Sequence, residues 1–211
     1  MSISIYNTRT AGWESAITAM RKPLNSCDKS DSGMRDDNYV IGPDDMHLMQ
    51  KLASGGDDDS KHMRMVVIWA EINAPLYWWK QYDTYKIGTV AESSSTMHTI
   101  HKRDLTLNNF AQPTTSLMTL VDIINECNFL RKQFIETGDK SYWDDLIKLL
   151  PESFMQDRSV MLNYQAVKHM YDARKNHKLD EWHHFCTWAL KLPYFKDIYQ
   201  IDDEVIRYEG C

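Results

Sequence analysis

The chain has 211 residues, 43% hydrophobic and 26% charged, with only 8 Gly and 6 Pro. That composition suits a globular protein with a sizeable core and excludes collagenous, low-complexity and disordered chains. A formal net charge of −6 argues against a broad electrostatic grip on nucleic acid or an anionic membrane surface.

The longest mainly apolar run, Met63 to Leu76, is interrupted by Arg64, Glu71 and Asn73 and falls short of the ~20 apolar residues a spanning helix needs. The first ten residues, MSISIYNTRT, lack a signal-peptide core. The expectation is a soluble, cytoplasmic protein with neither membrane nor nucleic acid as partner. Cys27, Cys127, Cys186 and Cys211 are far apart and form no CxxC pair, so they read as reduced, structural thiols with no metal site.

In chain order, Ser2 to Tyr6 alternates polar and apolar residues and predicts an opening strand. Trp13, Ala16, Ile17 and Met20 then recur at helical spacing. Leu24 to Gly42 is polar and reads as a loop or lid. Pro43-Asp44-Asp45 opens a second helix, with Pro in the first turn and acids at the positive helix end. Gly55 to Lys61 reads as a turn, Met65 to Ile72 as a buried strand, and Pro75 to Lys86 as a helix. Ile87 to Thr99 is small, polar and irregular.

The second half is more plainly helical. Leu117, Leu120, Val121, Ile124, Cys127 and Leu130 predict one long helix, Trp143 to Leu150 a shorter one stopped by Pro151. Ser159 to Ala173 and Leu179 to Leu190 predict two more, and the tail IDDEVIRYEGC has no clear role. Strands early and helices late give an α+β fold, and the absence of a Gly-rich phosphate fingerprint leaves Rossmann and P-loop folds without support.

Four segments carry a resemblance. Asp45 to Gly56 holds a His-Leu pair; Ala74-Pro75 is followed by Lys80-Gln81-Tyr82; and Thr84-Tyr85-Lys86 is followed, after seven residues, by Ser94, with Glu92 inside that interval. Further on, Leu150-Pro151 precedes Asn163 and, eleven residues later, Arg174 and then Trp182. This ordered spacing resembles the flavin-dependent thymidylate synthase family, across roughly residues 13–192 of a single 1–211 domain.

The resemblance implies a helix-rich α+β protomer assembling as a homotetramer. It further implies a pyrimidine deoxynucleotide of the dUMP type as ligand, FAD as cofactor, and folate and NADPH as co-substrates. The reaction would transfer a folate one-carbon unit to C5 of the base, to give a methyl or a hydroxymethyl product. On this chain Arg174 would hold the pyrimidine and stabilise negative charge on it. Lys80, Lys86 and Asn163 would contact the cofactor, and Gln81, Glu92, Ser94, Ser95 and Lys148 the nucleotide. Eleven residues at ~100° each return to nearly one helix face, about 16 Å along the axis, so Asn163 and Arg174 are expected to share a face.

The family's Arg-His-Arg is Thr84-Tyr85-Lys86 here, its strand His falls on Met65, and an arginine position before Leu-Pro holds Ile147. Arginine offers a planar fork of donors where lysine offers a hydrated point charge. Loss of several such contacts favours a second reading, a non-catalytic nucleotide-binding or scaffold protein that kept the fold and lost the cofactor. Duller readings exist for single residues: Lys80 and Lys86 as solvated helix ends, Glu92 to Thr96 as a polar loop or helix cap, Arg174 paired with Asp172 or Asp180. Trp78 and Trp79 read as core and subunit-interface residues. Because Leu76, Tyr77, Trp78 and Trp79 are consecutive, they are also expected to leave apolar surface on more than one helix face.

Overall fold

The computed structural model describes residues 3–202; Ser2, the tail from residue 203 and Cys211 lie outside them. In chain order the elements are β1 (Ser4–Ala11), α1 (Trp13–Arg21), β2 (Gly33–Arg35), β3 (Asn38–Val40), α2 (Pro43–Ser54), β4 (Val67–Pro75) and α3 (Leu76–Tyr82). There follow β5 (Thr89–Ser93), α4 (Thr96–Thr99), α5 (Leu117–Thr137), α6 (Lys140–Leu149), β6 (Met155–Asn163), α7 (Tyr164–Arg174), α8 (Asp180–Ala189) and α9 (Phe195–Tyr199). The fold is α+β, as the element pattern predicts. Among the described residues no helix is long and apolar enough to cross a membrane.

Four strands form one sheet in the order β1-β4-β6-β5, and β2 and β3 form a separate antiparallel hairpin with Met34 opposite Tyr39. β4 shows why it is a strand: Ile68, Ala70, Ile72 and Ala74 are buried, alternating with more exposed residues, the period-2 signature of the pleat.

Three expectations need correction. Ser159 to Ala173 is not one helix, because β6 runs to Asn163 and α7 begins at Tyr164. Gln156, Val160 and Leu162 are buried on alternate positions, and Asn163 then turns the chain by capping. Ile87 to Thr99 is not irregular throughout but contains β5 and α4, and the loop Leu24 to Gly42 contains the β2–β3 hairpin.

The described chain divides into two compact units. The first holds residues 3–6, 71–84 and 91–159. Its core comprises Ile100, Leu105, Phe110, Leu120, Ile124, Cys127, Leu130 and Leu146. The α5 members recur at intervals of four, three and three, one stripe of an amphipathic helix. α3 buries Trp78, Trp79 and Tyr82, whose rings pack edge to face or tilted at 4.9–5.4 Å. Trp78 and Trp79 are thus core residues of the single chain, while Leu76 and Tyr77 beside them are half-buried, so the expected apolar surface is confined to those two. The most exposed apolar residues of the unit lie on α5, Met118 at 71%, Phe129 at 52% and Ile135 at 56%, with Tyr6, Met97 and Leu149 exposed elsewhere in it.

The second unit holds residues 7–70, 85–90 and 160–202. Met49, Met63, Val66, Val167, Met170, Phe185 and Phe195 are fully buried there. Its polar centre is Asp45, fully buried at the start of α2. The Asp45 carboxylate accepts from Arg21 Nε at 2.5 Å, Ser32 Oγ at 2.6 Å, Ser30 Oγ at 2.7 Å, and the backbone N–H groups of Ser32 and Asp31. Burial alone would raise this carboxyl, yet the hydrogen bonds from Ser32, Ser30 and Arg21 hold it below its ordinary value. A segment that reads from sequence as loop is therefore fastened to α2 by one buried charge.

Candidate functional site

Lys86, Asn163 and Arg174 fall in the second unit; Lys80, Gln81, Glu92, Ser94, Ser95 and Lys148 fall in the first. In the second unit the segment 85–90 lies along α7. At the start of α7, the Asn163 N–H donates to the Gly88 carbonyl at 3.1 Å. Asn163 is the residue before the helix, and its Oδ1 accepts from Ala166 N–H at 2.8 Å. This is an N-cap, a role worth about 1 kcal/mol, and it ends the expectation that Asn163 and Arg174 share a helix face.

At the other end of α7, Arg174 Nε donates to the Tyr85 hydroxyl at 2.9 Å. The guanidinium carbon lies 4.8 Å from the Trp182 ring centre and 5.6 Å from that of Tyr85, and these two rings meet at 6.2 Å. Trp182 is fully buried. The pairing of Arg174 with Asp172 or Asp180 does not occur: Asp172 takes Lys168, and Asp180 lies 3.7 Å from His183 Nδ1. The terminal nitrogens of Arg174 have no hydrogen-bond or ion-pair partner among the described residues. Nearby His177, whose ring packs on Trp182, is held below its ordinary value by burial, then by the Arg174 and His183 charges. Lys86, exposed on the same segment as Tyr85, makes no ion pair with a described residue.

The first unit is less hospitable to phosphate. Lys80 is paired at 2.6 Å with Glu152 and Lys148 with Asp144, all exposed. Asp144 raises the Lys148 ammonium above its ordinary value. Ser94 N–H donates to the Asp157 carbonyl at 3.1 Å, and the Asp157 carboxylate accepts from Tyr6. Ser95 caps the one-turn α4 by accepting from His98 N–H at 3.4 Å. Glu92 is exposed on β5 and Gln81 half-buried on α3.

Two arrangements had no sequence signal. Tyr85 reads in the sequence only as a departure from a motif, and its contact with Arg174 spans 89 positions. Arg158 packs 4.1 Å over the Trp79 ring while bonding Asp83 at 2.8 Å and Gln156 at 2.9 Å, and so locks α3 to β6. His62, near the family's strand His but out of register, is buried, with Nδ1 facing the Asp59 carbonyl and Nε2 unpartnered among the described residues. Cys186 and Cys127 are buried, and burial pushes their thiols up to about 12 and about 11, which makes them poor nucleophiles. Among the described residues no group of three or more His, Cys, Asp or Glu could hold a metal ion.

The chain is similar in fold to a crystal structure of thymidylate synthase X from Helicobacter pylori with FAD and dUMP. The TM-score is 0.70 at 16% identity, covering 94% of this chain and 96% of that one. A second structure of that enzyme with FAD and dUMP gives 0.68, again at 16% identity, covering 94% and 97%. A UMP/dUMP methylase, PolB from Streptomyces cacaoi, bound with 5-Br dUMP, gives 0.62 at 9% identity, covering 94% and 95%. No family model and no curated protein sequence matches the chain. At these identities the likeness is one of fold: the chain has the thymidylate synthase X fold in a divergent sequence.

Proposed function

We propose that the chain binds a pyrimidine deoxynucleotide of the dUMP type and that Arg174 holds the base. The observation that carries this reading is the state of the Arg174 side chain. Its Nε is taken by Tyr85, aromatic rings flank it, no carboxylate of a described residue neutralises it, and its terminal N–H groups have no partner among the described residues and so suit a ligand. Those donors suit a uracil carbonyl, and they would favour negative charge developing on the ring. The similar structures hold dUMP or 5-Br dUMP, which supports the same class of ligand.

The fuller reading adds FAD, with folate and NADPH as co-substrates, and transfer of a one-carbon unit to C5. The residues assigned to FAD do not fit it well. Glu152 sits against Lys80, placing a negative charge where a pyrophosphate needs a positive one, and Asn163 is spent on capping α7. Of these three, Lys86 alone has no partner among the described residues, and one lysine on its own supports no flavin step. These same contacts favour the second reading, a nucleotide-binding protein that kept the fold without the cofactor. Homotetramer assembly and a cytoplasmic setting belong to the proposal as well. The assembly now leans on the exposed apolar residues of α5, and sedimentation as a stable monomer of 24.8 kDa would overturn it.

A thermal-shift screen with dUMP, dCMP, FAD, FMN and folates tests the whole reading. A ligand specific for the folded chain adds about 2.7 kcal/mol at a hundredfold excess over its dissociation constant. A shift with dUMP or dCMP is the expected result, and no shift with either would remove the nucleotide assignment. Flavin absorbance in the purified protein, or a shift with FAD, separates the enzyme from the cofactor-free reading.

A further inference from the structure

The arginine side chain carries five N–H donors fixed in one plane. On a flexible stem such a group wanders, and ordering it takes away part of the affinity a ligand would otherwise gain. Arg174 is not free to wander. Its Nε–H ends on the Tyr85 hydroxyl at 2.9 Å, and Trp182, itself fully buried, lies 4.8 Å from the guanidinium carbon. Tyr85 in turn is held from two sides. Its ring meets Trp182 at 6.2 Å, and its carbonyl accepts from Thr89 Oγ1 at 2.5 Å.

We propose that Tyr85 is a positioning residue, whose hydroxyl engages Arg174 Nε and so presents the two terminal nitrogens as a fixed pair of donors to the ligand. The hydroxyl accepts one hydrogen bond from Arg174 and keeps its own proton, which no described residue accepts. Tyr85 O–H and the terminal N–H groups of Arg174 therefore form one contiguous set of donors and no acceptor-only group. That set matches a ring carbonyl, and its flat aromatic flanks suit a base better than a tetrahedral phosphate. The assignment to a base rests on the nucleotide reading above. The positioning of Arg174 by Tyr85 does not.

Two measurements on the full chain separate these. In proton–nitrogen correlation spectra near neutral pH, Arg174 Nε–H should give a discrete, slowly exchanging signal, identified by its loss in Arg174→Lys. It should move to the bulk arginine position in Tyr85→Phe, which keeps the ring. In calorimetric titrations, Tyr85→Phe should weaken dUMP binding about tenfold, as expected for loss of one hydrogen bond to a charged group. The same change should add nothing in an Arg174→Ala background and should leave binding of deoxyribose 5-phosphate, which has no base, unaltered. An Nε signal unchanged in Tyr85→Phe overturns the proposal, as does an equal dUMP loss in both backgrounds. If wild type binds no dUMP while the Nε signal still depends on Tyr85, the nucleotide reading falls and the positioning role stands.

Discussion

A Cβ placed on Gly88 would stand 2.2 Å from Nδ2 of Asn163, and Gly88 has a φ of +73°. Glycine at position 88 thus eases the passage of the segment that carries Tyr85 and Lys86 past the start of α7. Gly88→Ala should lower stability by roughly 1–3 kcal/mol, from backbone strain and the displaced cap together, read as the midpoint of chemical denaturation. Adding Asn163→Ser, which keeps a capping oxygen on a shorter side chain, should recover part of the loss. An unchanged midpoint in Gly88→Ala would show that this segment is not seated against α7.

Asp45 should be among the least replaceable polar residues. Asp45→Ala strips the partner from Arg21, which is only 6% exposed, and frees the serines that fasten the preceding loop. Removing one member of a buried ion pair costs about 3–5 kcal/mol. Because the folded carboxyl is held below its ordinary 3.8, its contribution is complete above that pH and is lost as pH falls beneath it. Acid unfolding of Asp45→Asn should therefore begin from a lower plateau and show a shallower dependence below pH 4. Identical acid profiles for the two proteins would contradict this.

His62 imposes a pH dependence nearer neutrality. Burial keeps its imidazole below the ordinary 6.5, against the opposing bond to the Asp59 carbonyl, so the unfolded chain binds a proton that the folded chain refuses. Stability from this group is full above about pH 6.5 and declines as pH drops toward the folded value. Comparing denaturation midpoints at pH 7.5 and 5.5 should show a fall for wild type and a smaller fall for His62→Gln. Parallel falls would place the effect elsewhere.

If flavin binds, Lys86→Ala should reduce uptake more than Lys80→Ala, since Lys86 has no described partner and Lys80 is neutralised by Glu152. Glu152→Gln should then raise flavin affinity, because it removes the carboxylate from beside Lys80. Flavin absorbance after gel filtration reads both effects. Equal retention in wild type and Lys86→Ala would take Lys86 out of the site.

The helices with an unbroken apolar stripe were legible in the sequence. α5 and α8 appear close to where Leu120, Ile124, Cys127 and Trp182, Phe185, Cys186 place them. β6 was not, since its alternation of Gln156, Val160 and Leu162 runs straight into the apolar residues of α7, and the merged pattern mimics one helix. Asn163 in front of that run was the available boundary signal. β5 left even less trace, having no fully buried residue. At the site, Arg174 could be singled out by spacing. Tyr85 could not, because its partner lies 89 positions away and only tertiary structure joins them. The ion pairs that commit Lys80 and Lys148 were invisible for two reasons: Glu152 is distant in sequence from Lys80, and an Asp four residues before a Lys is common on solvated helices.

α3 has seven residues, too few to persist alone, and its first two N–H groups end on the carbonyls of Phe154 and Glu152. Its inward positions, Trp78, Trp79 and Tyr82, are fixed by neighbours, among them the Gln156 carbonyl that receives Trp79 Nε1–H at 3.0 Å. The outward positions, Lys80 among them, bear none of that weight. Such a helix lets a lineage exchange its solvent-facing chemistry residue by residue without disturbing the frame beneath, so a binding surface can be rewritten while the architecture stays recognisable at 16% identity.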